Sequence, residues 1–407
     1  VWMKLNQMLY LKQLKEIKMK LAKRMDIIPF QRIRIIVEEV TRRERLGEKI
    51  IHLEIGRPDF DTPSHIKEAA IEAISKGKVH YTSNYGIIEL RNEIAAKFKQ
   101  DNGLTYDPLD EIIVTVGATE GIFLSMMALL DPGDEVLIFS PSFPAYAQCA
   151  NMIEAIPVFV PLKQDNDFEP IIEDLKSKIT SKTKMIVINT PHNPTGAVYS
   201  EKTLTALAQI ALENDLLVLS DEIYEKNIYD GYEHFSIASL PGMQERTITL
   251  NGFSKSHCMT GWRLGYLASS KEIIGGLIRI HQYATVCATS FAQHGAVAAL
   301  KGPQDDVELM GKEFSRRRVM MVERLQKMPG LSVFKPKGAF YIFINVEKLG
   351  MTSQKLATYL LDEATMAVVP WGDKNIRISY ANSYENLEKA MDNMEAALKK
   401  LKINYQK

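Results

Sequence analysis

The sequence predicts an α/β fold with a mostly parallel β-sheet covered by helices. From residue 50 onward, short apolar runs alternate with longer amphipathic stretches, which is the pattern of strands connected by crossover helices. The apolar runs are continuous rather than alternating, as in strands that are buried on both faces. Seven strands are predicted in the first 290 residues: 112–116, 135–139, 155–160, 185–189, 216–220, 247–251 and 264–269.

Between these strands, helical periodicity is clearest in residues 119–130 and 200–214. The second stretch begins with Ser200, a residue type that caps the amino ends of helices, and stops at Asn214 and Asp215. Both stretches favour helices that connect neighbouring strands of one sheet.

The pattern changes after about residue 290, where a smaller α+β domain is predicted. A long helical region ends before Pro329 and Gly330. The predicted elements of this part are helices at 291–328, 353–363 and from 384 onward, and strands at 341–346 and 376–380.

Residues 1–24 are a basic segment that precedes the alternating strands and helices. They carry seven basic residues and one acidic residue, and their apolar residues recur at nearly helical spacing. This pattern predicts an amphipathic helix that packs on the protein body or on a second subunit. A membrane-surface or targeting role is the alternative.

The composition excludes several classes of protein. Fifty basic residues balance fifty acidic ones, so the chain lacks the basic excess of a general nucleic-acid binder. Its three cysteines form no CxxC pair, which argues against a disulfide framework or a metal site and favours a cytoplasmic location. No apolar run approaches the roughly 18 residues of a membrane span, and the amino end lacks the pattern of a signal peptide.

The most informative stretch is 251–265, which reads NGFSKSHCMTGWRLG. Lys255 follows the end of a predicted strand, where burial and nearby cations favour its neutral, nucleophilic form. Such a lysine forms Schiff bases with carbonyls, including the aldehyde of pyridoxal phosphate. Ser254 and Arg263 would then supply a hydrogen bond and a two-pronged contact to the phosphate.

This stretch resembles the lysine signature of the class I/II pyridoxal-phosphate aminotransferases of fold type I. Cys258 departs from the signature, since a different small residue, such as alanine or glycine, is usual there. Further segments are similar to family motifs and follow in the family's order from about residue 21 to the carboxyl end: 56–60 (GRPDF), 81–86 (YTSNYG), 193–196 (NPTG) and 219–224 (LSDEIY).

The resemblance implies a large domain with a seven-stranded, mostly parallel sheet and a small domain that combines segments from both ends of the chain. The domain boundaries that we expect are an N-terminal extension at 1–24, a segment joining the small domain at 25–55, the large cofactor-binding domain at 56–290 and the C-terminal small domain at 291–407.

The resemblance also implies the residues that hold pyridoxal 5'-phosphate. Its ring would lie against Phe143, and Asp221 would pair with the ring nitrogen, which makes the ring an electron sink. Asn193 and Tyr224 would donate hydrogen bonds to the phenolic oxygen. The phosphate would be bound at the start of a helix by a set of five residues: Ala118, Thr119, Ser254, Arg263 and, from a neighbouring subunit, Tyr81.

For the substrate, the resemblance implies Gly56, Asn193 and Arg377. The planar guanidinium of Arg377 fits an α-carboxylate through two parallel hydrogen bonds. The contribution of Tyr81 across an interface implies a homodimer. One departure concerns residues 371–376, which are fewer than the glycine-containing loop that the family usually has before this arginine, so inferences about side-chain specificity do not extend there.

The expected activity is the transfer of an amino group from an L-amino acid to a 2-oxo acid, with 2-oxoglutarate as the expected acceptor, by a ping-pong mechanism through an aldimine on Lys255. Lys255, Asp221 and Tyr224 are the expected catalytic residues. The resemblance favours aspartate or a broad range of donors, and Arg57 is a candidate for binding a second carboxylate. A carbon–sulfur β-lyase of the same fold is the alternative. A transcription regulator is disfavoured because residues 1–24 are too short for a DNA-binding domain.

Overall fold

A computed structural model describes residues 21–30 and 32–405, so the helix predicted for residues 1–24 lies almost entirely outside the described residues. The described residues divide into two units, residues 21–30 and 32–405. In the first unit, Lys23–Asp26 forms a short 3₁₀ helix.

The second unit contains twelve α-helices among its described residues. They are α1 (Arg32–Arg45), α2 (Ser64–Ser75), α3 (Ile88–Asn102), α4 (Ala118–Leu129), α5 (Ala145–Met152), α6 (Ile172–Lys176), α7 (Glu201–Glu213), α8 (Lys271–Ala284), α9 (Ser290–Lys301), α10 (Asp305–Lys327), α11 (Ser353–Glu363) and α12 (Tyr384–Tyr405). Across the described part of the chain, no helix combines the length and apolarity that a membrane crossing requires.

The same residues contain thirteen strands. They are β1 (Ile51–His52), β2 (Ile112–Thr115), β3 (Glu135–Ser140), β4 (Ile156–Pro161), β5 (Thr183–Asn189), β6 (Leu217–Asp221), β7 (Thr247–Gly252), β8 (Gly265–Ala268), β9 (Ser332–Val333), β10 (Tyr341–Asn345), β11 (Met366–Ala367), β12 (Val369–Trp371) and β13 (Asn375–Ser379).

The large sheet confirms the seven predicted strands, in the order β2-β8-β7-β6-β5-β3-β4. Its strands β7, β6, β5, β3 and β4 are parallel, and β8 runs antiparallel to both of its neighbours. β2 and β7 are buried along their whole length, as their continuous apolar runs predict, because helices cover both faces of a parallel sheet. The edge strand β4 is more exposed.

The helices that accompany this sheet begin close to their predicted positions. The expected cap of α7 is present, since the Ser200 side chain accepts a hydrogen bond from the Thr203 backbone N–H at 3.3 Å. The long helix predicted over 291–328 was wrong in one respect, because it is two helices, α9 and α10, interrupted after Gly302. Pro303 follows, and a proline lacks the N–H that a helix interior needs and disfavours helical geometry in the residue before it.

A second, four-stranded antiparallel sheet has the order β12-β13-β10-β9. β12 and β13 form a hairpin in which Trp371 lies opposite Asn375, so the short segment before Arg377 is a tight connection between two paired strands. β1 pairs with β11 in parallel. Ile36, Val40 and Leu53 share one hydrophobic core with apolar residues from between positions 310 and 401.

Candidate active site

The predicted site residues gather at one edge of the large sheet, where its strands β2, β3, β5, β6 and β7 reach their carboxyl ends. Side chains that follow the carboxyl ends of parallel strands converge, and ligands of open α/β sheets bind at this edge. Each predicted stretch follows one of these ends within a few residues: Ala118 and Thr119, Phe143, Asn193, Asp221 with Tyr224, and Ser254 with Lys255.

Lys255 lies three residues beyond the end of β7. Its Nζ donates a hydrogen bond to the Gly56 carbonyl oxygen at 2.6 Å and lies 5.9 Å and 5.8 Å from the ring centroids of Tyr224 and Phe340. Burial lowers the pKa of Lys255 to about 8, and the positive charges of two arginines act in the same direction. A neutral amine is therefore accessible near neutral pH, which nucleophilic attack on a carbonyl requires.

Asp221 is the last residue of β6 and is buried. Its Oδ2 accepts a hydrogen bond from Tyr146 Oη at 2.6 Å, and its Oδ1 accepts one from the Ile223 backbone N–H at 3.2 Å. Burial raises the pKa of Asp221 to about 6, and these two hydrogen bonds act in the opposite direction. A carboxylate held in this way pairs well with a cationic ring nitrogen, which would replace its lost hydration.

Tyr224 and Tyr341 form a buried hydroxyl pair with their Oη atoms 2.9 Å apart. Tyr341 begins β10, so this pair joins the large sheet's edge to the second sheet. Burial raises the pKa of Tyr224 well above its ordinary value. A side chain at Gly56 would place its Cβ only 2.5 Å from Tyr341 Oη, so the approach of this segment requires glycine.

Arg377 lies in β13 and is 6% exposed. Its Nη1 donates to Asn193 Oδ1 at 3.1 Å, and its Nη2 donates to the Glu54 carbonyl oxygen at 2.8 Å. Its Nε is buried without a hydrogen-bond partner in the described part of the chain. A guanidinium has five N–H donors, so donors remain for a carboxylate that enters the site.

The start of α4 supplies an anion-binding arrangement. The N–H groups of Ala118 and Thr119 lie in the first turn of this helix, where backbone donors have no helical partner and the helix dipole is positive. A side chain at Gly117, which has a φ of +77°, would collide with the guanidinium of Arg263. Ser254 is buried in the turn that carries Lys255. This set of donors suits a phosphate.

Two further predicted site residues, Phe143 and Tyr81, and the unusual Cys258 differ in their surroundings. Phe143 packs edge-on against Tyr146, with ring centroids 5.8 Å apart, and so lies beside the residue that contacts Asp221. Tyr81 is 85% exposed, so a single chain does not bring its side chain into the site. At Cys258 the sulfur lies 3.3 Å from Met310 Sδ, and its carbonyl oxygen accepts a hydrogen bond from the Thr62 hydroxyl at 2.7 Å.

The structure adds residues that the motifs did not identify. Tyr146 and Tyr341 contact Asp221 and Tyr224 through their hydroxyls, and the Glu54 carbonyl holds Arg377. Tyr146 lies three residues after Phe143 at the start of α5, and this closeness to a predicted site residue is the signal that could have identified it.

Taken as a set, these groups fit pyridoxal phosphate. The amine of Lys255 suits its aldehyde, the carboxylate of Asp221 suits its ring nitrogen, and the start of α4 with Arg263 suits its phosphate. Gly56 and Arg377 lie beside these groups, where an amino acid would need to bind.

Comparisons with known proteins agree with this chemistry. Residues 48–394 match the family model for aminotransferase class I and II. The chain is 46% identical to aromatic-amino-acid aminotransferase 2 of Thermococcus litoralis over 364 residues, which cover 88% of this chain and 93% of that protein. It is 47% identical to the aspartate aminotransferase of Pyrococcus abyssi over 362 residues, 87% of this chain and 93% of that protein.

A solved structure shares the fold. The crystal structure of the aromatic aminotransferase from Pyrococcus horikoshii OT3 aligns with a TM-score of 0.85 and 46% identity, and covers 89% of this chain and 99% of that one. The match confirms the α/β architecture of fold type I. The chain therefore belongs to the class I and II aminotransferases and is a pyridoxal-phosphate-dependent enzyme that transfers amino groups.

Proposed function

We propose that this aminotransferase accepts aspartate and aromatic L-amino acids as donors and uses 2-oxoglutarate as the acceptor. Relatives of similar identity carry both of these donor names. The observation that carries amino transfer between α-amino acids and 2-oxo acids is the buried guanidinium of Arg377, which keeps unpaired donors beside Lys255; the choice of aspartate and aromatic donors rests on the relatives. A carboxylate anchored there suits every α-amino acid and every 2-oxo acid alike.

Lys255 carries out the proton transfer. When bound, pyridoxal phosphate supplies an electron-withdrawing ring that makes the Cα–H bond of the donor acidic. The neutral Nζ of Lys255 would accept the proton from the donor's Cα and hold it for the return step of amino transfer. Its lowered pKa, about 8, leaves a useful fraction of the amine unprotonated at neutral pH.

The other predicted residues would hold and orient the cofactor and the substrate. Asp221 would pair with the ring nitrogen and keep it protonated, while Asn193 and Tyr224 would donate to the phenolic oxygen. Arg377 would bind the α-carboxylate, and the absent side chain at Gly56 lets this segment pack closely against Tyr341 Oη. Ala118, Thr119, Ser254 and Arg263 would bind the phosphate, and Phe143 would pack against the ring.

The donor side chain would meet both cationic and aromatic groups. Arg57 is exposed beside Gly56 and is available for a second carboxylate such as that of aspartate. The rings of Tyr341 and Trp371 flank Arg377, with centroids 4.3 Å and 5.8 Å from its Cζ, and are available for an aromatic side chain. This combination supports a donor range that includes both classes.

The enzyme is proposed to act as a cytoplasmic homodimer in which Tyr81 binds the phosphate in the neighbouring subunit. The 85% exposure of the Tyr81 ring supports this role, because a large exposed aromatic side chain is typical of a surface that is covered in an assembly. Nearby in sequence, Ile71 and Val79 are 62% and 52% exposed.

Mixed dimers test this contribution. A dimer of one Lys255→Ala subunit and one Tyr81→Phe subunit would regain one unaltered site if Tyr81 acts across the interface. We expect normal cofactor affinity at that single site. Weak affinity at every site, as in the Tyr81→Phe homodimer, would show that Tyr81 acts within its own subunit.

We also propose the domain division expected from the sequence, with residues 25–55 joining the small domain, 56–290 forming the large domain and 291–407 completing the small one. The pairing of β1 with β11 and the core shared by Ile36 and Leu53 with C-terminal residues support the place of the N-terminal segment.

A donor screen tests the proposed function. The loaded enzyme would be given single L-amino acids with 2-oxoglutarate, and glutamate, ammonia and pyruvate would be measured. We expect glutamate in amounts equal to the 2-oxo acid formed, with aspartate, phenylalanine and tyrosine among the best donors. Release of ammonia and pyruvate from a sulfur amino acid without any acceptor would indicate a lyase instead.

A further inference from the structure

Tyr341 contacts both Arg377, which is proposed to bind the substrate carboxylate, and Tyr224, which is proposed to bind the phenolic oxygen of the cofactor. Its ring lies against the guanidinium of Arg377, with a distance of 4.3 Å from Cζ to the ring centroid. Its hydroxyl lies 2.9 Å from that of Tyr224. Tyr341 is 1% exposed and starts β10, in which its neighbour Phe343 is paired with Arg377.

We propose that Tyr341 is a positioning residue that uses its ring to hold Arg377 for the substrate carboxylate and its hydroxyl to direct the proton of Tyr224 toward the cofactor. This inference rests on the roles proposed above for Arg377 and Tyr224.

The role of the Tyr341 ring in positioning Arg377 follows from the hydrogen bonds that Arg377 makes. Asn193 and Glu54 fix the guanidinium within its plane through one donor on each Nη. Neither contact restrains it perpendicular to that plane. The face of an aromatic ring attracts a cation, and more strongly away from water. The Tyr341 ring centroid lies 4.3 Å from Cζ of Arg377 and that of Trp371 lies 5.8 Å away, so the nearer Tyr341 ring supplies most of the missing restraint.

The role of the Tyr341 hydroxyl follows from the number of protons that the Tyr341–Tyr224 pair can donate. A hydroxyl has one proton to donate and two lone pairs that accept. If Tyr224 is to donate to the phenolic oxygen, its proton cannot also serve Tyr341, so Tyr341 is the donor of the 2.9 Å contact. Hydrogen bonds in such a chain polarise one another, which strengthens donation by Tyr224 and favours the anionic phenolic oxygen.

Two substitutions separate the role of the Tyr341 ring from that of its hydroxyl. Tyr341→Phe keeps the ring and removes the hydroxyl, so we expect the pH midpoint of the bound cofactor's visible absorbance to rise by about half a unit. KM for every donor should change by less than about twofold. Tyr341→Leu removes the ring as well, and KM should then rise roughly tenfold for all donors alike.

Tyr380→Phe is the matched control. Tyr380 is also fully buried, and its hydroxyl donates to the Ala339 carbonyl oxygen at 3.0 Å. Its loss should leave both the absorbance midpoint and KM unchanged. Thermal unfolding of each variant identifies any general loss of structure.

The outcomes distinguish this inference from the proposed function. If Tyr224→Phe shifts the absorbance midpoint but Tyr341→Phe does not, the role of the Tyr341 hydroxyl is wrong and that of Tyr224 stands. If Arg377→Ala raises KM but Tyr341→Leu leaves it unchanged, the role of the ring is wrong. If neither Tyr224→Phe nor Arg377→Ala has its effect, the proposed site roles fail and this inference fails with them.

Discussion

The hydrogen bond from Tyr146 to Asp221 offers a quantitative test of what sets the pKa of the buried Asp221 carboxylate. Replacing Tyr146 with phenylalanine removes a donor 2.6 Å from the carboxylate and keeps the ring. A hydrogen bond to a charged group contributes roughly 1.5–3 kcal/mol, and one pKa unit corresponds to about 1.4 kcal/mol. The pKa of Asp221, already raised to about 6 by burial, should therefore rise by a further ~1–2 units.

The consequence is a loss of negative charge opposite the ring nitrogen at neutral pH. At pH 7 a group with a pKa of about 6 is roughly nine-tenths ionised, whereas one with a pKa between ~7 and ~8 is about half ionised or less. The acid limb of kcat/KM against pH should shift upward by ~1–2 units in Tyr146→Phe. The bound cofactor affects Asp221 in both proteins, so the difference between the two profiles is the quantity to compare.

Tyr199→Phe provides the control for this experiment. Tyr199 is buried, and its hydroxyl has no hydrogen-bond partner among the described residues, so its removal should leave the acid limb in place. An unchanged acid limb in Tyr146→Phe, or an equal shift in both variants, would refute the assignment of the acid limb to Asp221.

Three other perturbations follow from the same geometry. Arg377→Lys replaces a planar guanidinium, which can bind a carboxylate through two hydrogen bonds, with an ammonium group. KM should therefore rise ~10–100-fold for every donor in steady-state assays. An effect on one donor alone would contradict the proposed binding of the shared α-carboxylate by Arg377. Gly56→Ala places a Cβ 2.5 Å from Tyr341 Oη, so kcat/KM should fall at least about tenfold and the free energy of unfolding should fall by ~1–3 kcal/mol; normal turnover would show that the segment moves aside. His52 lies between Glu44 and Glu54, at 2.9 Å and 2.8 Å, and its hydrogen bond with Glu54 is the main reason that its pKa rises to about 9. Because the folded-state pKa is raised, the stabilisation is complete below the ordinary pKa near 6.5 and is lost as pH rises through about 9. Its side chain is 31% exposed, so we expect a reduced contribution of ~1–3 kcal/mol. Unfolding midpoints of His52→Gln and the native protein should converge between pH 6 and pH 10, and a constant gap would contradict this.

The large sheet was predictable because its strands are buried on both faces and read as continuous apolar runs. The break between α9 and α10 was missed because apolar residues continue in helical register on both sides of it. Gly302 and Pro303 provide the interruption, and local backbone chemistry overrode the periodicity at that point.

The candidate site was predictable where its residues follow strand ends, since one edge of a parallel sheet brings them together. Tyr146 and Tyr341 were not identified, because their partners are 75 and 117 residues away in the sequence. A pairing between distant residues leaves no local pattern. Tyr81 presents a different difficulty, because its proposed contact requires a second chain.

The central claim is that Lys255 performs transamination with pyridoxal phosphate. The most direct measurement is the visible absorbance of the loaded enzyme while aspartate or phenylalanine is added alone, followed by 2-oxoglutarate. We predict that one equivalent of 2-oxo acid forms as the cofactor band disappears, and that 2-oxoglutarate restores the band with one equivalent of glutamate. In Lys255→Ala the band should not cycle. Continuous product formation without 2-oxoglutarate, or normal cycling in Lys255→Ala, would contradict the account.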